Sequence, residues 1–250
     1  MRSLFTDLNE VIMKMVGIVM RLAPIGVFCL IGKTFATQGF DVILPLASYF
    51  LCVVVALLLH ACGVFTFLLV FLGRTNPLMF FRKMRAALVF AFSTASSNAT
   101  IPVTLDTVEH RMGVKNAVAS FTVPLGATIN MDGTAIMQGV ATVFISHVYA
   151  VDLGMTEYLT VILTATLASI GTAGVPGVGL IMLSMVLIQV GLPVEAIGLI
   201  IGVDRLLDMM RTAVNVTGDA MVTLLIAKSE KAFNETTFAD PEAGVIESDA

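Results

Sequence analysis

The sequence predicts an all-α membrane protein arranged as an inverted repeat, with two re-entrant helical hairpins and broken helices. Three observations carry that prediction. First, of 250 residues 57% are hydrophobic and 13% charged, with a mean hydropathy of +0.95, whereas soluble domains carry roughly a quarter charged residues. Second, apolar runs such as "LPLASYFLCVVVALLLHACGVFTFLLVFLG" exceed the ~20 helical residues a bilayer requires. The alternating ten-residue strands of a barrel are absent, and an open sheet cannot satisfy its backbone in lipid. Third, two shorter apolar stretches are each halted by a segment that cannot continue as membrane helix.

The elements follow in order. Apolar segments span roughly 8 to 35 and 42 to 73; the first begins near Val11 without a small-residue cleavage site, so it reads as a spanning helix and not a secretory signal. Residues 77 to 92, "PLMFFRKMRAALVFAF", make only roughly 24 Å of helix against a hydrocarbon core of ~30 Å. They stop at "STASSNATIP", 93 to 102, where hydroxyls, an amide and a proline free the backbone from helical bonding. Membranes tolerate that only where the chain is buried or lines a cavity, which predicts a hairpin tip. A long segment, 115 to 149, is interrupted by "NMDGT" at 130 to 134. Another short apolar stretch, 156 to 168, is halted by "SIGTAGVPGVG" at 169 to 179, and a last long segment runs from 194 to 229.

Hairpin, broken helix, hairpin and polar helix thus form two repeats. The ends of the first hairpin carry Arg74, Arg82, Lys83, Arg85, Arg111 and Lys115, whereas those of the second carry Asp152, Glu157 and Glu195. By the positive-inside rule the first enters from the cytoplasm and the second from outside. Opposed hairpins are what inverted-topology transporters contain, with the binding site at the interrupted segments. The segment from Ser229 onward is polar and acidic and predicts a disordered cytoplasmic tail. The domain division is therefore a scaffold-type helix and loop at 1–41, a transport domain at 42–229 and a polar tail at 230–250.

Composition also excludes. A net charge of -4 with no basic stripe argues against a nucleic-acid partner. Cys29, Cys52 and Cys62 lack C-x-x-C spacing and read as small buried hydrophobes, and His60, His110 and His147 are scattered singly, without metal-ligand spacing.

The chemistry concentrates in "GVDRLLDMMRTAVNVTGD", residues 202 to 219. At 100° per residue, Asp204, Asp208, Arg211, Asn215 and Asp219 share a wedge of about 80°, with Thr212 at its border and Arg205 just beyond. Ionised groups facing lipid cost roughly 2.5–3.5 kcal/mol each, so the wedge faces protein or a watery cavity. One reading is structural: Asp204 or Asp208 paired internally with Arg211. The other is a binding site, because Asp132, Asp204, Asp208 and Asp219 outnumber Arg205 and Arg211. Unpaired buried carboxylates must protonate or bind cations, while a guanidinium fork suits an anionic solute. In "GTAGVPGVG" the glycines allow close backbone approach to a ligand and Pro176 breaks the helix; a glycine-mediated helix contact is the alternative, and no G-K-[ST] follows to make a P-loop.

Taken together, "STASSNATIP", "NMDGT", "GTAGVPG" and "DMMRTAVNVTGD", in this order, resemble the dicarboxylate/amino acid:cation symporter family. The resemblance implies homotrimers in the inner or plasma membrane, each protomer with a fixed scaffold and a transport domain that moves as an elevator, gated by the second hairpin. It implies that Arg211 grips a substrate side-chain carboxylate and Asp208 its ammonium. Ser96, Ser97, Thr134, Thr212 and Asn215 would line the same pocket, closed by backbone at Val175 and Gly179. For sodium it implies Asp219 with carbonyls of Gly126, Asn130 and Asn215, a second site at Asp132 with Asn130, and a third from carbonyls of Thr128, Ser169, Ile170 and Thr172. The resemblance implies sodium ions as coupling ions and no cofactor.

Pairing argues the substrate. Arg211 calls for an acidic side chain, and Asp208 favours an amino acid over a plain dicarboxylate, so L-glutamate or L-aspartate is expected. Ala95 and Met209 stand where relatives often carry an arginine, and Arg205 lies one turn before Met209; potassium counter-transport stays open. The resemblance covers the C-terminal half to two thirds of a family member, which predicts a fragment or short form. Competing readings are proton coupling, a C4-dicarboxylate substrate, a non-transporting assembly subunit, and an intramembrane aspartyl protease using Asp132 and Asp208. The last lacks its G-x-G-D context, so no enzyme is expected.

Overall fold

The structure, a computed structural model, describes residues 43–244 and the single positions Lys14, Ile25, Phe28 and Gly32. The helix expected over 8–35, the division at 1–41, Cys29 and residues 245–250 lie outside the described residues. Helix α1 (Ile43–Leu59) passes through a π-helical turn (His60–Phe65) into α2 (Thr66–Phe71). Leu44–Phe71 is one rod of 28 residues, about 42 Å long. Among the described residues it is the one helix long and apolar enough to cross a bilayer.

Helix α3 (Pro77–Thr94) starts as its sequence dictates: Asn76 caps it by accepting from the amides of Leu78 and Met79, and Pro77 occupies the first position, where no amide hydrogen is needed. It stops at Ala95, in the left-handed region at φ 52°. Ser96 is extended and its hydroxyl caps α4 (Ser97–Asp106) by accepting from Ala99. The turn therefore occupies two residues, not the whole of 93–102. Thr94, Thr100 and Thr104 hydrogen-bond carbonyls four residues back, which lets hydroxyl-rich sequence remain helical, and Pro102 is accommodated within α4.

A π-helical turn (Thr107–Arg111) leads to α5 (Asn116–Ile129); Asn130 and Met131 interrupt, and α6 (Asp132–Val148) follows. Helices α7 (Met155–Ile170) and α8 (Val178–Gln189) pack together across an irregular turn at 171–177. After a short 3-10 turn (Val194–Ala196) comes α9 (Ile197–Ser229), whose 33 residues span about 50 Å. It is the hub: α1, α3, α4, α5, α6 and α8 all pack on it. An apolar core packs around a buried polar seam, and much of the outer surface is apolar as well. Leu59, Phe67, Phe71, Leu159, Ile162, Leu163 and Ile181 are exposed, while the acidic and guanidinium groups of α9's stripe are buried.

Two expectations are corrected here. Cys52 and Cys62 are free and exposed, because the outer face of an oily helix is as apolar as its core. The chain beyond Ser229 is ordered through Gly244 and forms α10 (Glu235–Ala239), with Phe238 buried. Two devices hold it. An isolated antiparallel bridge joins Val114 and Phe233. Lys83, fully buried, donates from Nζ to the carbonyls of Arg111, Thr237 and Asp240 and lies over the Phe238 ring at 5.7 Å. Each charge-assisted bond contributes roughly 1.5–3 kcal/mol. Lys83→Met, which roughly keeps the volume, is expected to raise hydrogen exchange at 237–240 more than tenfold while α3 stays helical; unchanged protection there would show that the bridge alone anchors the segment.

Candidate functional site

The site is built on the middle of α9. Asp204, Asp208, Arg211, Thr212, Asn215 and Asp219 are all buried, Arg211 completely, whereas Arg205 is exposed. The stripe therefore faces the interior and Arg205 does not join it. Arg211 donates from one terminal nitrogen to Asp204 Oδ1 at 3.0 Å and from the other to Asp208 Oδ1 at 2.7 Å. The internal pairing raised as the structural reading is thus formed.

Both turns nevertheless converge on this pair. The second oxygen of Asp208 accepts from the backbone amide of Gly177 at 3.0 Å. Gly174 O accepts from Ser96 Oγ at 2.7 Å and from Asn98 N at 3.1 Å, so the tip of α3–α4 is hydrogen-bonded to the tip of α7–α8. A Cβ built on Gly179 would stand 3.3 Å from a terminal nitrogen of Arg211; the glycine is what lets α8 approach the guanidinium. Ser97, Thr134, Thr172, Val175, Gly179, Asp208, Thr212 and Asn215 line a shared space of about 20 Å³. Ser96 contributes by tying the turns together, and Thr212 donates to Asp208 O at 2.8 Å.

The break between α5 and α6 is stitched to the same face of α9. Asn130 donates to Asp219 Oδ1 at 2.9 Å and to Asn215 O at 3.4 Å. Asn215 Oδ1 accepts from Gly133 N at 2.7 Å, and its amide reaches Thr134 Oγ1 at 3.4 Å. Gly126 faces Asp219 so closely that a Cβ there would lie 2.7 Å from Oδ1. Gly126, Asn130, Asn215 and Asp219 therefore meet at one place, where Asn130 donates to the Asp219 carboxylate and to the carbonyls of Gly126 and Asn215. One carboxylate with two backbone carbonyls close by offers the hard oxygen atoms that could hold an alkali cation once Asn130 releases them.

The other expected ion sites are less assembled. Asp132 Oδ2 is engaged by His60 Nε2 at 2.9 Å, a partner the sequence reading missed. Ser169 O accepts from Thr172 N at 3.1 Å, Thr172 Oγ1 donates to Ala168 O at 2.9 Å, and Thr128 Oγ1 bonds Pro124 O at 3.3 Å. Thr128 and Ile170 are exposed at the ends of their helices. Gln138 was also missed: fully buried, it donates to Gly179 O at 3.4 Å while its Oε1 has no partner, and neither does Arg211 Nε. Its position four residues beyond Thr134 on α6 was the available signal; nothing local marks His60, which lies 72 residues from Asp132.

Charge of both signs buried where two helix turns and a broken helix meet, with Leu, Ile and Phe facing outward, is the arrangement of a membrane protein with a polar centre among its helices. The chain matches the sodium:dicarboxylate symporter family over residues 1–229 and belongs to that family, which places it in a membrane. It is 44% identical over 236 residues to mouse excitatory amino acid transporter 2, covering 92% of this chain and 41% of the relative. It is 43% identical over 234 residues to an excitatory amino acid transporter of Caenorhabditis elegans, covering 93% and 46%, and 44% identical over 223 residues to rat excitatory amino acid transporter 1, covering 88% and 41%. The chain spans less than half the length of these curated relatives.

Proposed function

We propose that this chain forms the substrate- and ion-binding portion of a sodium-driven symporter for L-glutamate or L-aspartate in the inner or plasma membrane. One observation carries the reading: both helix turns are hydrogen-bonded to each other directly over the Arg211–Asp208 pair, beside the Asn130–Asp219 cluster. The α3–α4 and α7–α8 pairs act as re-entrant hairpins of an inverted repeat, and the unit moves as the elevator of a homotrimer.

The mechanism is an exchange of partners. A space of about 20 Å³ is far below the roughly 300 Å³ or more of ordinary ligand pockets, so entry requires the 171–177 turn to lift. Lifting breaks the Ser96–Gly174 and Gly177–Asp208 bonds and frees one oxygen of Asp208, the other staying on Arg211. The substrate's side-chain carboxylate then takes the guanidinium of Arg211 and its ammonium takes Asp208, so the count of opposed charges is kept. Ser97, Thr134 and Asn215 supply donors for the remaining oxygens. Sodium, held by Asp219 with the carbonyls of Gly126, Asn130 and Asn215, by Asp132 with Asn130, and by carbonyls of Thr128, Ser169, Ile170 and Thr172, offsets the surplus of acids and couples its own gradient to the solute.

Uptake of labelled L-aspartate and L-glutamate into proteoliposomes, with sodium, proton and potassium gradients imposed one at a time, tests this. Uptake driven by sodium alone is expected. Uptake driven by protons without sodium would replace sodium coupling with proton coupling, and transport of succinate in preference to either amino acid would overturn the role of Asp208.

A further inference from the structure

Beyond the central site, a groove of about 740 Å³ runs between α3 and the chain after α10. Arg82, Arg85 and Arg111 line one end, and Ala86, Val89 and Phe90 continue along α3. These α3 positions recur every three to four residues and so share one side of the helix. The charged end carries three guanidinium groups against Glu242, whose Oε1 lies 3.7 Å from Arg82 with both side chains largely exposed. Such an exposed pair contributes little and is easily exchanged for a stronger anion. Arg111 donates to Lys83 O at 3.4 Å, but its buried Nε has no partner.

The other end is oily. Val89 is 62% exposed and Phe90 40%. Ser93, at the far limit, donates its hydroxyl to Val89 O at 2.8 Å, so it leaves no polar demand there. A free anion would use only the arginines, and a neutral lipid only the apolar side. We propose that the groove is a binding site for an anionic phospholipid, with its phosphate on Arg82, Arg85 and Arg111 and an acyl chain along Ala86, Val89 and Phe90. Basic clusters beside apolar helix surface hold acidic head groups in this way. The bound lipid would tie α3 to the terminal segment that Lys83 already anchors.

The chain contains no tryptophan, so Val89→Trp installs a single tryptophan at the oily end, which can be excited selectively over the tyrosines. In mixed vesicles, brominated phosphatidylglycerol is expected to quench it at about fivefold lower mole fraction than brominated phosphatidylcholine, and Arg82→Gln with Arg85→Gln should remove that preference. Both arginines are exposed, so the double variant should keep its melting temperature. Native mass spectrometry of the unsubstituted chain, counting retained phosphatidylglycerol against phosphatidylcholine, gives the same comparison should Val89→Trp fail to fold. Equal affinity for the two lipids, or a preference that survives the double variant, would overturn the proposal. Loss of the preference in millimolar inorganic phosphate would identify a free-anion site and overturn it equally.

Discussion

Arg211→Ala is expected to abolish binding and uptake of L-aspartate and L-glutamate, with an affinity loss of about 10²–10³-fold, the scale of removing one partner of a buried hydrogen-bonded charge pair. The guanidinium is fully buried and holds Asp204 and Asp208 at 3.0 and 2.7 Å. Its removal takes away the proposed partner of the substrate and also leaves two buried carboxylates unopposed, which costs roughly 3–5 kcal/mol of stability. The two effects separate in one comparison. A small neutral amino acid needs the Asp208 end of the site but not the guanidinium, so a folded Arg211→Ala protein should lose the acidic substrates far more completely than the neutral one. Arg211→Lys keeps the charge without the planar fork and should fall between. Equal loss of acidic and neutral binding, together with a collapsed melting temperature, would show that Arg211 supports the fold and not recognition.

The second large effect is at the proposed cation site. Asp219→Asn should raise the sodium concentration for half-maximal substrate binding at least tenfold, equivalent to about 1.4 kcal/mol. The amide still fits beside Asn130 but lacks the charge that a cation requires. Gly126→Ala reaches the same carboxylate from the opposite side: a methyl group 2.7 Å from Asp219 Oδ1 is well inside contact distance, so the carboxylate must turn away. Two chemically unrelated substitutions should therefore weaken sodium in parallel, while lithium or choline backgrounds stay without effect. Sodium activation unchanged in both variants would remove Asp219 from ion binding.

Much of the site was legible because helical periodicity is local. Five residues of α9 spaced by four, three, four and four positions share a face whatever packs against it, and all five are buried in the structure. The interruptions at Asn130 and at 171–177 were legible for a similar reason, since short-range preferences of Asn, Gly and Pro act on their own backbone. Ala95 and Ser96 show the limit of that reasoning. The hydroxyl-rich run around them predicted ten irregular residues, yet threonine hydroxyls bonding back to their own helix confine the irregularity to two.

What the amino-acid order determined by itself is the long helices among the described residues, roughly where they break and the identity of the charged stripe, because each depends on neighbours within a turn or two. What only the tertiary structure decided is who meets whom. Arg211 closing on Asp204 and Asp208, Ser96 reaching Gly174 across 78 residues, His60 finding Asp132 across 72, and Lys83 gathering the terminal segment across 154 to 157 are contacts that no local period encodes. They arise because α9 gathers six other helices around one polar seam, and buried polar groups there must take whatever partners that packing brings within reach.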